Sequence, residues 1–224
     1  IFCLSLILVI LSGERTAFFI FIVFNLICLF CIKNLFKLFL FKIFIGICIF
    51  IFIILTNEIL YERIINTTIS GFKDADNNIL IFTKNHQSHY LTSLMIFLDN
   101  PIFGIGPKMF REVCQYADYI VYDGCSTHPH NTYMQLLSEV GILGFLPVIS
   151  IFLISLFTII SKVFLNIFAK DNYNTDHYMV LQITIFLNLF PFIPSGSFFN
   201  NWVSIIYFIP IGFLLYLINK SKFK

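Results

Sequence analysis

The stretch VGILGFLPVISIFLISLFTIIS, residues 140–161, runs for 22 residues without a charge. A helix of that length rises about 33 Å, enough to cross a hydrocarbon core of roughly 30 Å. Outward from it the same pattern repeats. Residues 16–32 carry no charge, and residues 39–56 carry only Lys42, near enough to one end for its stem to snorkel. Residues 178–219 are uncharged for 42 positions, too long for one crossing. Pro191, Pro194, Ser195, Gly196, Ser197, Asn200 and Asn201 break that run into two helices joined by a turn. Residues 1–11 add a sixth apolar segment. The chain opens inside this segment without an initiator Met or a charged leader, so it reads as the C-terminal part of a longer multi-span protein. Only helices or closed barrels satisfy backbone groups in lipid, and unbroken runs of this length exclude strands.

Composition agrees. Hydrophobic residues make up 58% of the chain, Phe supplies 30 of 224 positions and 12% are charged. Soluble domains carry roughly 25% charged residues. The apolar residues fall in long runs rather than at amphipathic spacing, which excludes one oversized soluble core.

Orientation follows from the lysines. Lys33, Lys37 and Lys42 lie between the second and third segments, Lys162 and Lys170 between the fourth and fifth, and Lys220, Lys222 and Lys224 at the tail. Span parity puts all three groups on one side, the cytoplasm. The opposite side receives Gly13-Glu14-Arg15, residues 57–133 and the Ser195 turn. All three arginines (Arg15, Arg63, Arg111) and four of the five histidines (His86, His89, His128, His130) fall there. Lysine bias does not account for outer arginines, whereas a site for phosphate or carboxylate does, because a guanidinium grips such groups with a rigid fork of donors. Contact with lipid headgroups is the simpler alternative.

The outer loop is too long to be a mere connection. Its residues 86–98 place Tyr90, Leu91, Leu94, Met95 and Leu98 at helical spacing, and Asn100-Pro101 ends that helix. Phe103-Gly104-Ile105-Gly106-Pro107 is a glycine-punctuated turn, after which Pro107 suits the first position of a helix running through Phe110 and Val113 toward Tyr119. Residues 71–78, with Lys73, Asp74 and Asp76, read as a flexible tip. Cys114 and Cys125 flank a helix-turn and are close enough for a disulfide in an oxidising compartment, two free thiols being the alternative. Cys3, Cys28, Cys31 and Cys48 are apolar filler. Asn131, Gln135, Ser138 and Glu139 share one face of the helix entering the fourth span. A carboxylate such as Glu139 at the membrane surface marks a cavity or a paired site, unless it simply faces water.

These residues carry a resemblance. Asn100-Pro101-Ile102-Phe103-Gly104-Ile105-Gly106, His128-Pro129-His130-Asn131 and Gly141-Ile142-Leu143-Gly144 are similar to the O-antigen ligase and polymerase superfamily. Its signature is His followed by Asn, Ser or Gln, nine residues, then Gly-x-x-Gly. His130-Asn131, residues 132–140 and 141–144 fit it, and Ser12-Gly13-Glu14-Arg15 resembles the family's earlier Ser-x-x-Arg element. The resemblance covers the chain from Ser12 to about Leu217. It implies an all-α polytopic transmembrane helix bundle with a large helical periplasmic loop: membrane helices over 1–56, a catalytic loop over 57–133, and membrane helices with a cytoplasmic tail over 134–224. It further implies a multi-pass protein of the bacterial inner membrane, active on the periplasmic face. The implied activity is glycosyl transfer without metal or other cofactor, from an undecaprenyl-diphosphate-linked glycan donor to lipid A-core, a second lipid-linked glycan (as in a polymerase) or a protein. Nothing in the residues points to nucleic acid.

For that chemistry His130 is the expected base or acceptor-orienting group, with Arg15 and Arg111 or Arg63 on the diphosphate. Gly104, Gly106, His89, His128, Asn131 and Glu139 are the remaining expected substrate contacts. Family members commonly carry an Arg at the start of the helix before the glycine turn, where this chain has His89. Two rival chemistries are a Zn²⁺ site from His128 and His130 with His86 and His89, and a metal-dependent transferase using Asp74 and Asp76. From another class, a transporter or flippase of a lipid-linked sugar would exploit the broken helix near residues 191–197. Transporters bind near the bilayer midplane, however, and here the second, third, fifth and sixth spans are almost purely apolar.

Overall fold

The computed structural model describes residues 2–73, 79–168 and 176–222. Asp74, Asp76, Lys170 and Lys224, and with them most of the expected tip at 71–78, lie outside the described residues. The helices are α1 (Phe2–Ser12), α2 (Arg15–Cys31), α3 (Phe36–Thr56), α4 (Glu58–Tyr61), α5 (Thr67–Gly71), α6 (Lys84–Asp99), α7 (Phe110–Val113), α8 (Thr132–Phe168), α9 (Asp176–Asn188) and α10 (Asn201–Lys222). A 3₁₀ turn (Lys33–Leu35) links α2 to α3, and a π turn (Glu62–Asn66) links α4 to α5. No strand occurs among the described residues; a lone bridge pairs Lys73 with Ile79. The protein is an all-α polytopic membrane bundle.

Every apolar run predicted to cross the bilayer holds a helix, but the lengths differ from expectation. Among the described residues, α3, α8 and α10 are long and apolar enough to cross a membrane, while α1 and α2 are shorter apolar helices. The described part of α9 has 13 residues. The short turn expected near Pro191 instead takes all of residues 189–200, because this segment bonds to other elements rather than continuing either helix. The Tyr133 hydroxyl donates to Leu189 O (2.6 Å) and the Asn131 amide to Pro191 O (2.7 Å).

The chain forms two compact units. The first comprises the described residues of 1–71 and 156–187. One apolar cluster packs its helices: Leu6, Ile10, Leu60 and Ile64 are buried, with Phe18, Phe21 and Phe50 packed around them. The Lys42 Nζ lies 4.8 Å from the centre of the Phe39 ring and 5.6 Å from that of Phe2, where cation–π attraction favours an ammonium on an apolar helix. Asn166 near the end of α8 donates to Phe30 O and Cys31 O at 2.9 and 2.8 Å, satisfying terminal carbonyls of α2 that the helix itself leaves free.

The second unit comprises the described residues of 72–155 and 188–224. Helix α6 buries Ser88, Tyr90, Thr92, Ser93 and Ile96. Leu94, Met95 and Leu98, at the spacing noted in the sequence, point outward instead. Small polar residues are inside because they bond to backbone: Ser93 Oγ donates to Met134 O (2.6 Å), and Val121 N–H donates to Thr92 Oγ1 (3.0 Å). Below them Ile96, Phe110 and Cys114 form a small core, closed by a disulfide between Cys114 and Cys125.

Candidate functional site

The second unit is organised by a crossing of two backbones. At Gly141 the helix α8 is interrupted by a residue at φ 64°, ψ −166°. That break frees carbonyls and N–H groups that the segment 101–106 takes up. Ile105 N–H donates to Ser138 O (3.0 Å), Gly106 N–H to Glu139 O (2.8 Å), and Ile142 N–H to Pro101 O (2.9 Å). The chains approach so closely that a Cβ on Gly104 would strike the Glu139 and Val140 backbone, and one on Gly141 would strike Ile102. Both glycines also need positive φ, which L side chains rarely adopt. The two glycine motifs of the sequence are therefore the two halves of one interlock.

Glu139 lies at this crossing, fully buried. Its carboxylate accepts the N–H groups of Lys108 (2.9 Å) and Phe110 (3.0 Å) and the Gln135 side-chain amide (2.9 Å). The expected helix from Pro107 to Tyr119 is corrected by this arrangement. Glu139 draws two N–H groups to one point, Lys108 turns to φ 63°, and the α-helix is confined to Phe110–Val113. Gln135 reaches the other way, donating to Ser197 Oγ (3.0 Å) and accepting from Phe198 N–H (2.8 Å). One helical turn of α8 thus holds both the 104–111 loop and the 195–203 segment. Between these walls lies a cavity of about 540 Å³, lined by Lys108, Arg111, His128, Ser197, Asn200 and Trp202 among others. Lys108 and Arg111 are exposed there, a pair of cations on one wall, with the Lys108 backbone held by Glu139. The 350 Å³ cavity of the first unit, among Phe2, Phe18 and Phe50, is by contrast apolar.

Four histidines gather beside the polar cavity. His86 and His89 come from α6, and His128 and His130 from the segment leading into α8. The His130 ring centre lies 4.1 Å from His128, 5.3 Å from His89 and 5.9 Å from His86. His128 is held by the Ser195 carbonyl at Nε2 (3.3 Å) and the Thr127 hydroxyl at Nδ1 (3.0 Å), the pairing of a neutral ring that donates from Nε2. Burial lowers the His128 pKa, the Ser195 bond offsets part of that, and His89 adds a smaller lowering. His130 is pushed down to about 4, first by burial and then by His128, His89 and His86. It is therefore neutral at neutral pH. Its backbone sits at φ 57°, a conformation that costs of order 1–3 kcal/mol in a non-glycine residue and that clusters at functional sites. Ser195 N–H donates to His130 O (2.9 Å) and holds it there.

The described residues contain no group of three or more His, Cys, Asp or Glu side chains placed to hold a metal ion. Around His130 the rings of His89 and His128 are tilted and that of His86 is edge-on.

Asn131 caps α8: its Oδ1 accepts from Tyr133 N–H (3.0 Å) and Met134 N–H (3.2 Å), and its Nδ2 donates to Pro191 O (2.7 Å). Both ends of its side chain are occupied. Gly106 sits at φ 105° in the interlock. In the first unit, Arg63 pairs with Glu14 at 3.5 Å, both side chains more than half exposed, and Arg15 donates to Thr68 Oγ1 at 3.3 Å. Lys108, Ser197, Asn200 and Trp202 were not singled out as site residues by the sequence. A polar break in an otherwise apolar run was the available signal for the last three.

A family model described as O-antigen ligase matches residues 1–149. The chain belongs to the O-antigen ligase family. No curated protein and no solved structure matches it significantly. The O-antigen ligase family carries out glycosyl transfer of the ligase or polymerase type on lipid-linked glycans, and this member is a membrane protein. The match takes in Arg15, Arg63 and Arg111, the histidine cluster and the Gly104–Gly141 interlock. The cavity wall from Ser197 to Trp202 lies beyond the matched residues.

Proposed function

We propose that this O-antigen ligase family member transfers a glycan from undecaprenyl diphosphate to lipid A-core, working without metal on the periplasmic face of the bacterial inner membrane, with residues 57–133 as its catalytic loop. The observation that carries the reading is the neutral, tightly positioned His130 beside a cavity walled by Lys108 and Arg111. In the reaction the bond from the anomeric carbon to the diphosphate oxygen breaks, and a bond from that carbon to the acceptor hydroxyl oxygen forms. The hydroxyl proton passes to a ring nitrogen of His130, and undecaprenyl diphosphate leaves.

Developing charge on the leaving diphosphate needs fixed cations, and preorganised ones lower the barrier most. Arg111 and Lys108 supply two. His89, standing where family members commonly carry Arg, contributes a buried Nδ1 without a protein partner among the described residues. His128 orients His130. Gly104, Gly106, Asn131 and Glu139 hold the site's walls rather than touch substrate.

A His130→Ala allele in a deletion strain tests this by glycolipid profile. Loss of ligation leaves bare lipid A-core while long lipid-linked chains build up on the outer leaflet. Core bearing a single repeat unit instead identifies a polymerase, unchanged core with lost protein glycans identifies a protein transferase, and donor retained on the inner leaflet identifies a flippase.

A further inference from the structure

The cation wall explains half of the cavity. The other wall is Ser197, Asn200, Asn201 and Trp202, and a purely anionic ligand has no use for it. Trp202 is the single Trp of the sequence and is 78% exposed. An exposed Trp near a membrane surface commonly serves as a headgroup anchor. This one differs in its setting, sharing a cavity with three amide or hydroxyl side chains and facing Lys108 and Arg111. Its backbone is also fixed. Trp202 N–H donates to Asn200 Oδ1 (3.1 Å), Ser204 Oγ donates to Phe198 O (3.0 Å), and Phe198 is stacked on Tyr207 with ring centres 5.4 Å apart. Through Phe198 N–H and Ser197 Oγ this wall hangs on Gln135, whose amide also bonds the Glu139 carboxylate that holds Lys108. The spacing of the two walls is therefore set by adjacent turns of one helix.

A ligand matching both walls has an anionic group joined directly to a polyhydroxylated ring with an apolar face. We infer that the Ser197–Trp202 wall is a saccharide subsite, with Trp202 as the platform for the sugar bonded to the diphosphate and Asn201 and Ser197 bonding its hydroxyls. The inference rests on the ligase reading above and adds the residues that recognise the sugar. A volume of 540 Å³ lies within the roughly 300–1,000 Å³ of small-molecule sites, room for a diphosphate and its first sugar. Loss of the aromatic platform is expected to weaken donor affinity about tenfold, which is about 1.4 kcal/mol.

The difference in emission between wild type and Trp202→Phe isolates the fluorescence of Trp202, which reports the subsite. The probes are the oligosaccharide released by mild acid from the cell's lipid-linked donor, and inorganic diphosphate, each added to the full chain in nanodiscs. The oligosaccharide is expected to change Trp202 emission saturably. In a transfer assay Trp202→Ala is expected to raise the KM for donor about tenfold, with kcat little changed, and Trp202→Phe to restore it to within about threefold. Emission indifferent to the oligosaccharide, or a Trp202→Ala KM equal to wild type, overturns the subsite. The ligase reading fails separately: it falls if Lys108→Ala/Arg111→Ala and His130→Ala all leave transfer intact, whatever Trp202 does.

Discussion

The first unit's helix trio and the second unit's interlock show two ways of using the same apolar alphabet. In the trio α1–α3, Leu6, Ile10 and the Phe side chains meet through apolar contacts, and most of α3 faces outward. Around the first turns of α8, nearly every polar atom is assigned a partner, and two backbones touch where glycine alone fits. Dispersion contacts tolerate exchange of one apolar residue for another, because they are individually small and non-directional. Buried hydrogen-bond networks do not, since one lost partner strands a desolvated group. Catalysis needs fixed atoms, and the fixed atoms are in the second region.

The contrast is broken most severely at Gly141. Gly141→Val puts a branched side chain at positive φ against the Ile102 backbone, and is expected to abolish recovery of folded protein in detergent. Gly46→Ala in α3 meets Leu6 at an ordinary 3.4 Å and should leave yield unchanged. Glu139→Ala comes next. It leaves the Lys108 and Phe110 N–H groups unpaired, at about 1–3 kcal/mol each, so a thermal melt should drop and donor KM should rise as Lys108 loses its place. Cys114→Ser with Cys125→Ser opens a loop whose ends are 11 residues apart, costing about 2–3 kcal/mol, and wild-type protein should lose the same amount in dithiothreitol.

A pH series sharpens the comparison further. His130 titrates near 4 in the folded protein, below its ordinary value of 6.5, so the unfolded chain binds the extra proton first. Stability contributed by this neutral histidine is full above about pH 6.5 and is lost as pH falls toward 4. Donor-free enzyme should therefore melt earlier at pH 5 than at pH 7, and His130→Ala should flatten that difference. The smallest effect belongs to the exposed pair of the first unit: Glu14→Gln should change stability by less than about 1 kcal/mol.

Much of this was legible in the sequence, for identifiable reasons. Uncharged runs reveal membrane helices because lipid allows no other backbone arrangement, and helix α6 showed by periodicity and by Asn100-Pro101. The shared face of Asn131, Gln135, Ser138 and Glu139 was readable from spacing, and all four are buried. Their use was not. That Glu139 binds N–H groups of Lys108 and Phe110, about thirty positions away, depends on a crossing no local pattern encodes. The same crossing shortened the helix expected after Pro107 and gave Lys108 its positive φ. Nothing in the sequence around Asn166 signals its role, because the carbonyls it satisfies belong to α2. The Ser195–Trp202 segment read as a simple turn, since its polarity signals a break but not the cavity it walls.

The central claim is that His130 and the cations of the facing wall perform glycosyl transfer. It is tested most directly with purified protein in proteoliposomes, given labelled undecaprenyl-diphosphate-linked glycan and lipid A-core, with the initial rate of labelled lipopolysaccharide measured. His130→Ala should lower kcat by about 10²–10⁴ while leaving donor binding near wild type. Transfer by His130→Ala at the wild-type rate contradicts the account.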